Sequence, residues 1–143
     1  MSQSLTQPRN SEVDLERLLA QMTLEEKAGQ LNQPPNLDQI SDEDVREGRI
    51  GSIICAYNAF AGNEKHTRVR VDMINRLQKI AVEESRLGIP LVFARDVIHG
   101  YRTIAPIPLG QGASFSPSHV RSAYQVAATE AAADGIRWAF APM

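Results

Sequence analysis

The sequence predicts an α/β fold that opens β-α-β-α-β, with parallel strands joined by right-handed crossovers. Three observations carry this reading. Largely apolar stretches of strand length run from Ile50, Leu91 and Arg137, and apolar residues recur at helical spacing between them. Leu91, Val92, Phe93 and Ala94 are apolar on both parities, as in a parallel strand covered on both faces. That strand then stops in Arg95, Asp96, His99, Tyr101 and Arg102, and parallel α/β folds keep their chemistry at the carboxyl ends of strands.

Taken in order, residues 1–10 are rich in Ser, Gln and Pro and read as a disordered N-terminus. Residues 11–49 read as a helical preamble. Ser11 can cap a helix whose apolar stripe is Leu15, Leu18, Leu19 and Met22. Thr23-Leu24-Glu25-Glu26 is a capping-box pattern that opens a second helix, to about Leu31, ended by Pro34-Pro35. Ser41 to Arg46 makes one further helical turn, stopped by Gly48.

Residues 50–143 then read as three strands and two helices. The first strand is Ile50 to Tyr57, followed by a polar loop from Asn58 to Thr67. A helix over Val69–Glu84 carries Met73, Ile74, Leu77, Ile80 and Ala81 on one face, and Gly88 closes it. The second strand is Leu91 to Val97. Two prolines argue against regular structure from Ile104 to Gly112. Ser116-Pro117 starts the next helix, with Ser at the cap and Pro at the first position. Its stripe is Val120, Ala123, Tyr124, Ala127 and Ala131, and Gly135 ends it. The third strand is Arg137 to Ala141, with Trp138 expected in the core.

Composition excludes several classes. A net charge of −2 gives no electrostatic footprint for nucleic acid or an acidic membrane surface. No run approaches the roughly 18 apolar residues of a membrane span. One cysteine, Cys55, forms no internal disulfide. His66, His99 and His119 have no metal-ligand spacing, so no metal or cofactor is expected. Gly110-Gln111-Gly112 follows a proline-rich loop, not a strand, and is a poor dinucleotide fingerprint. The polar N-terminus lacks the apolar core of a secretion signal. The expected compartment is cytoplasmic as written, or periplasmic or secreted if a leader has been removed.

Strand parity sharpens the candidate site. Asp96 shares a face with Val92 and Ala94, whereas Leu91, Phe93 and Arg95 share the other. If the small residues line the interior, Asp96 points a carboxylate into the site. The alternative is a structural cap on the following turn. Arg95, of opposite parity, is expected to be paired outside.

The same stretch carries a resemblance. Asp96-Val97-Ile98-His99-Gly100-Tyr101-Arg102-Thr103, followed by Pro106-Ile107-Pro108-Leu109-Gly110, resembles the β-glucosidase branch of glycoside hydrolase family 3. The likeness extends to Leu19–Lys27, Ala131–Trp138 and Phe140–Met143. It implies that the chain is the opening portion of a (β/α)8 TIM-type barrel, incomplete here because three strands cannot close one. It implies a retaining hydrolase acting on terminal β-D-glucosyl residues, with Asp96 accepting hydrogen bonds from sugar hydroxyls. The family's Asp nucleophile and Glu acid/base are expected beyond Met143, so the chain alone is expected to be inactive.

Tyr101, Arg102, His99 and Tyr57 are weaker substrate-binding candidates, with Asn58 beside Tyr57 on the same rim. His99 and Arg102 either touch substrate or tie the loop down. Tyr101 either packs on a sugar face or covers the rim. Ala105 stands where the family commonly has an aromatic, and Gly112 where it commonly has Ala. A non-catalytic fragment with weak sugar binding is the alternative, with a β-xylosidase or a β-N-acetylhexosaminidase of the same family a further one. Asp-Val-Ile-His-Gly speaks against the hexosaminidase. An open barrel edge implies self-association or a complementing segment.

Overall fold

The computed structural model describes residues 15–56 and 71–142. The helices α1 (Leu15–Gln21), α2 (Leu24–Gln30) and α3 (Asp42–Arg46) precede strand β1 (Ser52–Ile54). Helix α4 (Val71–Lys79) runs into a π-helical turn, Ile80–Glu84, and leads to β2 (Val92–Asp96). Short helix α5 (Pro108–Ala113), long helix α6 (Pro117–Ala133) and β3 (Trp138–Phe140) complete the chain.

The three strands form one parallel sheet in the order β1-β2-β3. Ile53 pairs with Phe93, and Asp96 pairs with Phe140. Both crossover helices lie on one face. Ile74, Leu77, Ile80 and Ala81 from the first join Ala127 and Ala131 from the second in a single cluster with Ile53, Leu91, Phe93 and Val97. A doubly wound sheet would place helices on both faces. Sequential order with helices on one face is the winding of a barrel. Burying each large apolar side chain contributes about 1.5–3 kcal/mol. Exposed ion pairs such as Arg46–Glu84 contribute about 0–1 kcal/mol, so the cluster dominates.

The free edge of β1 is covered by the segment before it. The N–H groups of Gly51, Ile54 and Ala56 donate to the carbonyls of Asn32, Pro34 and Pro35 at 3.3, 2.9 and 3.1 Å. Residues 32–35 therefore run parallel to β1. Prolines suit this place, because only their carbonyls are needed. β3 has no strand on its far side among the described residues.

Several expectations hold. Thr23 accepts from the Glu26 N–H at 3.1 Å while Glu26 accepts from the Thr23 N–H at 2.8 Å, which is the capping box. The helical turn read from Ser41 to Arg46 forms as α3, with Ser41 as its N-cap. Others are corrected. The strands are shorter by one to a few residues at their ends. Tyr57, Asn58 and the loop to Thr67 lie outside the described residues. Pro108 does not break structure but starts α5 at its first position, where its missing N–H is harmless. Ser116 makes no capping bond and turns to Ser118. On α1, Leu15 and Leu19 stay 71% and 55% exposed, whereas Leu18 and Met22 of the same stripe are half-buried. Val92 and Trp138 are likewise 39% and 47% exposed on the sheet face away from the helices, against the expected two-sided cover and core placement.

One ion pair crosses the base of the fold. Arg86 pairs with Glu26 and also donates to the Gln21 carbonyl at 2.9 Å. The Arg86 and Thr23 hydrogen bonds hold the Glu26 carboxyl below its ordinary pKa. A depressed carboxylate pKa contributes stability above the unfolded-state value, and that contribution is lost as pH falls through the folded value. Thermal melts of wild type and Glu26→Gln should therefore differ at neutral pH and converge in acid. A constant gap across that window would remove the Glu26 charge as the cause.

Candidate functional site

The site is built at the carboxyl end of β2. Parity places Asp96 on the face opposite the two crossover helices, where its cross-strand neighbour is Phe140. Trp138 lies against Phe140 on the same face, ring centroids 5.0 Å apart in an edge-to-face arrangement. Asp96 is exposed, and its side chain makes no hydrogen bond seen among the described residues. Phe93, of opposite parity, is buried in the core, as the alternation requires.

The other polar residues of the stretch are engaged within the protein. Arg95 donates to the Cys55 carbonyl at 2.7 Å and lies 5.6 Å above the centre of the Tyr101 ring. It is thus engaged by a backbone carbonyl and a π face. His99 Nδ1–H donates to the Ala105 carbonyl at 3.0 Å, and the Ala105 N–H returns to the His99 carbonyl at 2.8 Å. The Tyr101 hydroxyl donates to Asp134 Oδ2 at 2.8 Å, and the Arg102 guanidinium pairs with Asp134 Oδ1. Of the five candidates, then, His99, Tyr101 and Arg102 hold the loop, Asp96 is open, and Tyr57 is outside the described residues.

Gly100 makes the loop's turn possible. Its φ is +134°, a region that favours glycine, and an added Cβ would meet the Thr103 carbonyl at 2.3 Å. Gly100 and Ile104 form an antiparallel bridge that closes the loop.

Electrostatically, burial pushes the Cys55 thiol up to about 11, which keeps it protonated and unreactive. Tyr101 is pushed far above its ordinary value by burial and by the Asp134 carboxylate beside it, so it remains a donor. Among the described residues, no group of three His, Cys, Asp or Glu side chains could hold a metal ion. No helix of the described residues is long and apolar enough to cross a membrane.

Sequence reasoning missed Glu130 and Asp134 and gave Tyr124 only a packing role; all three lie on or just after α6 and are bonded to this loop. A signal existed. Acids in the last turn of a helix oppose its macrodipole and therefore need donors from elsewhere.

Comparison with known proteins bears on this geometry. The glycosyl hydrolase family 3 N-terminal domain matches residues 23–143. A periplasmic beta-glucosidase of Salmonella typhimurium is 40% identical over 130 residues, covering 88% of this chain and 15% of that protein. A lysosomal beta glucosidase of Dictyostelium discoideum is 30% identical over 149 residues, covering 90% of this chain and 18% of that protein. A beta-glucosidase from Listeria innocua, solved in complex with isofagomine, superposes with a TM-score of 0.72 at 33% identity, over 93% of this chain and 18% of that one. An exo-1,3/1,4-beta-glucanase from Pseudoalteromonas superposes with a TM-score of 0.71 at 31% identity, over 90% of this chain and 17% of that one. The chain spans less than a fifth of the length of each of these proteins. A parallel sheet wound as a barrel begins, carrying the Asp96 loop and matched by the family across residues 23–143, belongs to glycosyl hydrolase family 3, in its N-terminal domain.

Proposed function

We propose that this chain supplies the opening strands of a retaining β-glucosidase barrel, and that Asp96 binds hydroxyls of the terminal glucosyl unit. One observation supports this most. Asp96 is an exposed carboxylate at the carboxyl end of β2, while Arg95, His99, Tyr101 and Arg102 around it all have protein partners. An ionised carboxylate accepts from two neighbouring hydroxyls at once. Each such bond is worth about 1.5–3 kcal/mol net. Bonds that tighten as the ring distorts toward the transition state raise the rate as well as the affinity.

Retention also needs a nucleophile and an acid/base about 5–5.5 Å apart. On this reading both come from polypeptide outside residues 1–143, and Tyr101, Arg102 and His99 shape the subsite wall from behind. The far edge of β3, unpaired among the described residues, and the exposed Val92 and Trp138 support a complementing segment, or a second copy, over that face. The names of the Salmonella and Dictyostelium relatives support a compartment outside the cytosol.

The test compares two proteins on an aryl β-glucoside. One is the 143-residue chain, its mass of 15.8 kDa verified. The other is a hybrid in which residues 23–143 replace the matching segment of the Salmonella enzyme. The chain alone should show no turnover and the hybrid should be active. Turnover by the verified chain that disappears in Asp96→Ala would place a complete carboxylate pair within these residues and overturn the division of labour.

A further inference from the structure

We propose that Asp134, assisted by Glu130, is the positioning residue that holds the Asp96 loop in its working geometry, a role that rests on the reading of Asp96 as a sugar ligand. Among the described residues, Asp134 is the charged side chain that is buried, at 4% exposure. A buried carboxylate is tolerated only when its oxygens are satisfied. Both donors to Asp134, the Tyr101 hydroxyl and the Arg102 guanidinium, come from consecutive residues of the loop that follows Asp96.

One helical turn earlier, Glu130 grips the same loop. Its Oε2 accepts from the N–H groups of Arg102 and Thr103, each at 2.8 Å, and its Oε1 accepts from the Thr103 hydroxyl at 2.6 Å. These bonds hold the Glu130 carboxyl below its ordinary pKa, so it stays ionised. Further along α6, the Tyr124 hydroxyl donates to the Ile98 carbonyl at 2.8 Å, two residues past Asp96. The loop is thus tied to α6 at positions 98, 101, 102 and 103.

The strand side is anchored as well. Arg95, directly before Asp96, is bonded to the Cys55 carbonyl and caps the face of the Tyr101 ring. Tyr101 therefore links the end of β2 to the end of α6. The two acids sit where the helix dipole disfavours negative charge. The loop's donors offset that cost, so helix end and loop stabilise one another. Ala127 and Ala131 fix α6 against the sheet, which gives the clamp a rigid base.

A merely structural clamp and a positioning clamp differ in what they do to Asp96. Amide exchange in the 143-residue chain is the first measurement. Asp134→Asn should speed exchange across residues 98–104 at least about tenfold, leaving Phe93 and Ala94 in β2 unchanged, because local opening precedes global unfolding. The second is a double-mutant cycle in the hybrid. Asp134→Asn should lower kcat/KM by roughly 10- to 100-fold when Asp96 is present, and by less than about threefold in the Asp96→Ala background, as coupled residues do. Should Asp134→Asn fail to fold, Glu130→Gln, at the exposed part of the clamp, carries the same exchange measurement and the same cycle. Unchanged exchange, or equal losses in both backgrounds, would overturn the proposal. So would an Asp96→Ala hybrid with unaltered kcat/KM. In that case faster exchange would show that the clamp is real and the sugar assignment is at fault.

Discussion

Gly29→Ala is expected to leave the chain without a cooperative unfolding transition. Gly29 sits at the end of α2, where the backbone of residues 48–49 crosses it. A Cβ there would stand 2.0 Å from the Gly48 carbonyl oxygen and 2.8 Å from the Arg49 backbone. Those are main-chain atoms, so no rotamer change relieves the clash. The contact also faces its counterpart: a Cβ on Gly51 would meet the Gln30 carbonyl at 2.5 Å. The two glycines let α2 and the start of β1 touch backbone to backbone. Alanine's better helix propensity returns only about 1 kcal/mol. Overpacking commonly costs about 1–3 kcal/mol, and more against rigid backbone. Domains hold only about 5–15 kcal/mol in all. Circular dichroism melts decide the matter. A Tm within a degree or two of wild type would mean that the preamble is free to move away from β1.

Asp96→Ala is expected to cut kcat/KM of the hybrid by roughly 10²–10⁴, with little change in Tm. The magnitude follows from two charge-assisted hydrogen bonds of about 1.5–3 kcal/mol each. About 1.4 kcal/mol corresponds to a tenfold change in rate. The stability half follows from exposure. Asp96 makes no hydrogen bond among the described residues, so its loss leaves no buried donor unpaired. A large drop in Tm alongside the loss of rate would instead favour the structural-cap role.

Much of this fold could be read from the chain. The helical spacing of Ile74, Leu77, Ile80 and Ala81 and the strand apolarity around Phe93 are local patterns, and their burial follows them. The Thr23–Glu26 box is a four-residue motif and forms as read. The parity of Asp96 likewise follows from the pleat. What escaped depends on partners distant in sequence. Residues 32–35 look like a helix stop, yet they line β1, because a one-sided ladder of carbonyls leaves no periodic trace. The partner of Tyr101 is Asp134 and that of Thr103 is Glu130, joined only when α6 folds back. Exposure of Leu15 and Trp138 is a further case. A stripe or strand shows which side is apolar but not whether anything covers it.

The most direct measurement of the central claim is kcat/KM for the hybrid and its Asp96→Ala variant on an aryl β-glucoside and on analogues deoxygenated at each sugar position in turn. If Asp96 binds sugar hydroxyls, the variant should lose roughly 10²–10⁴ on the parent substrate. It should lose far less on at least one deoxy analogue, because the missing hydroxyl and the missing carboxylate are two halves of one interaction. Equal losses on every analogue would contradict the account and remove Asp96 from contact with the sugar.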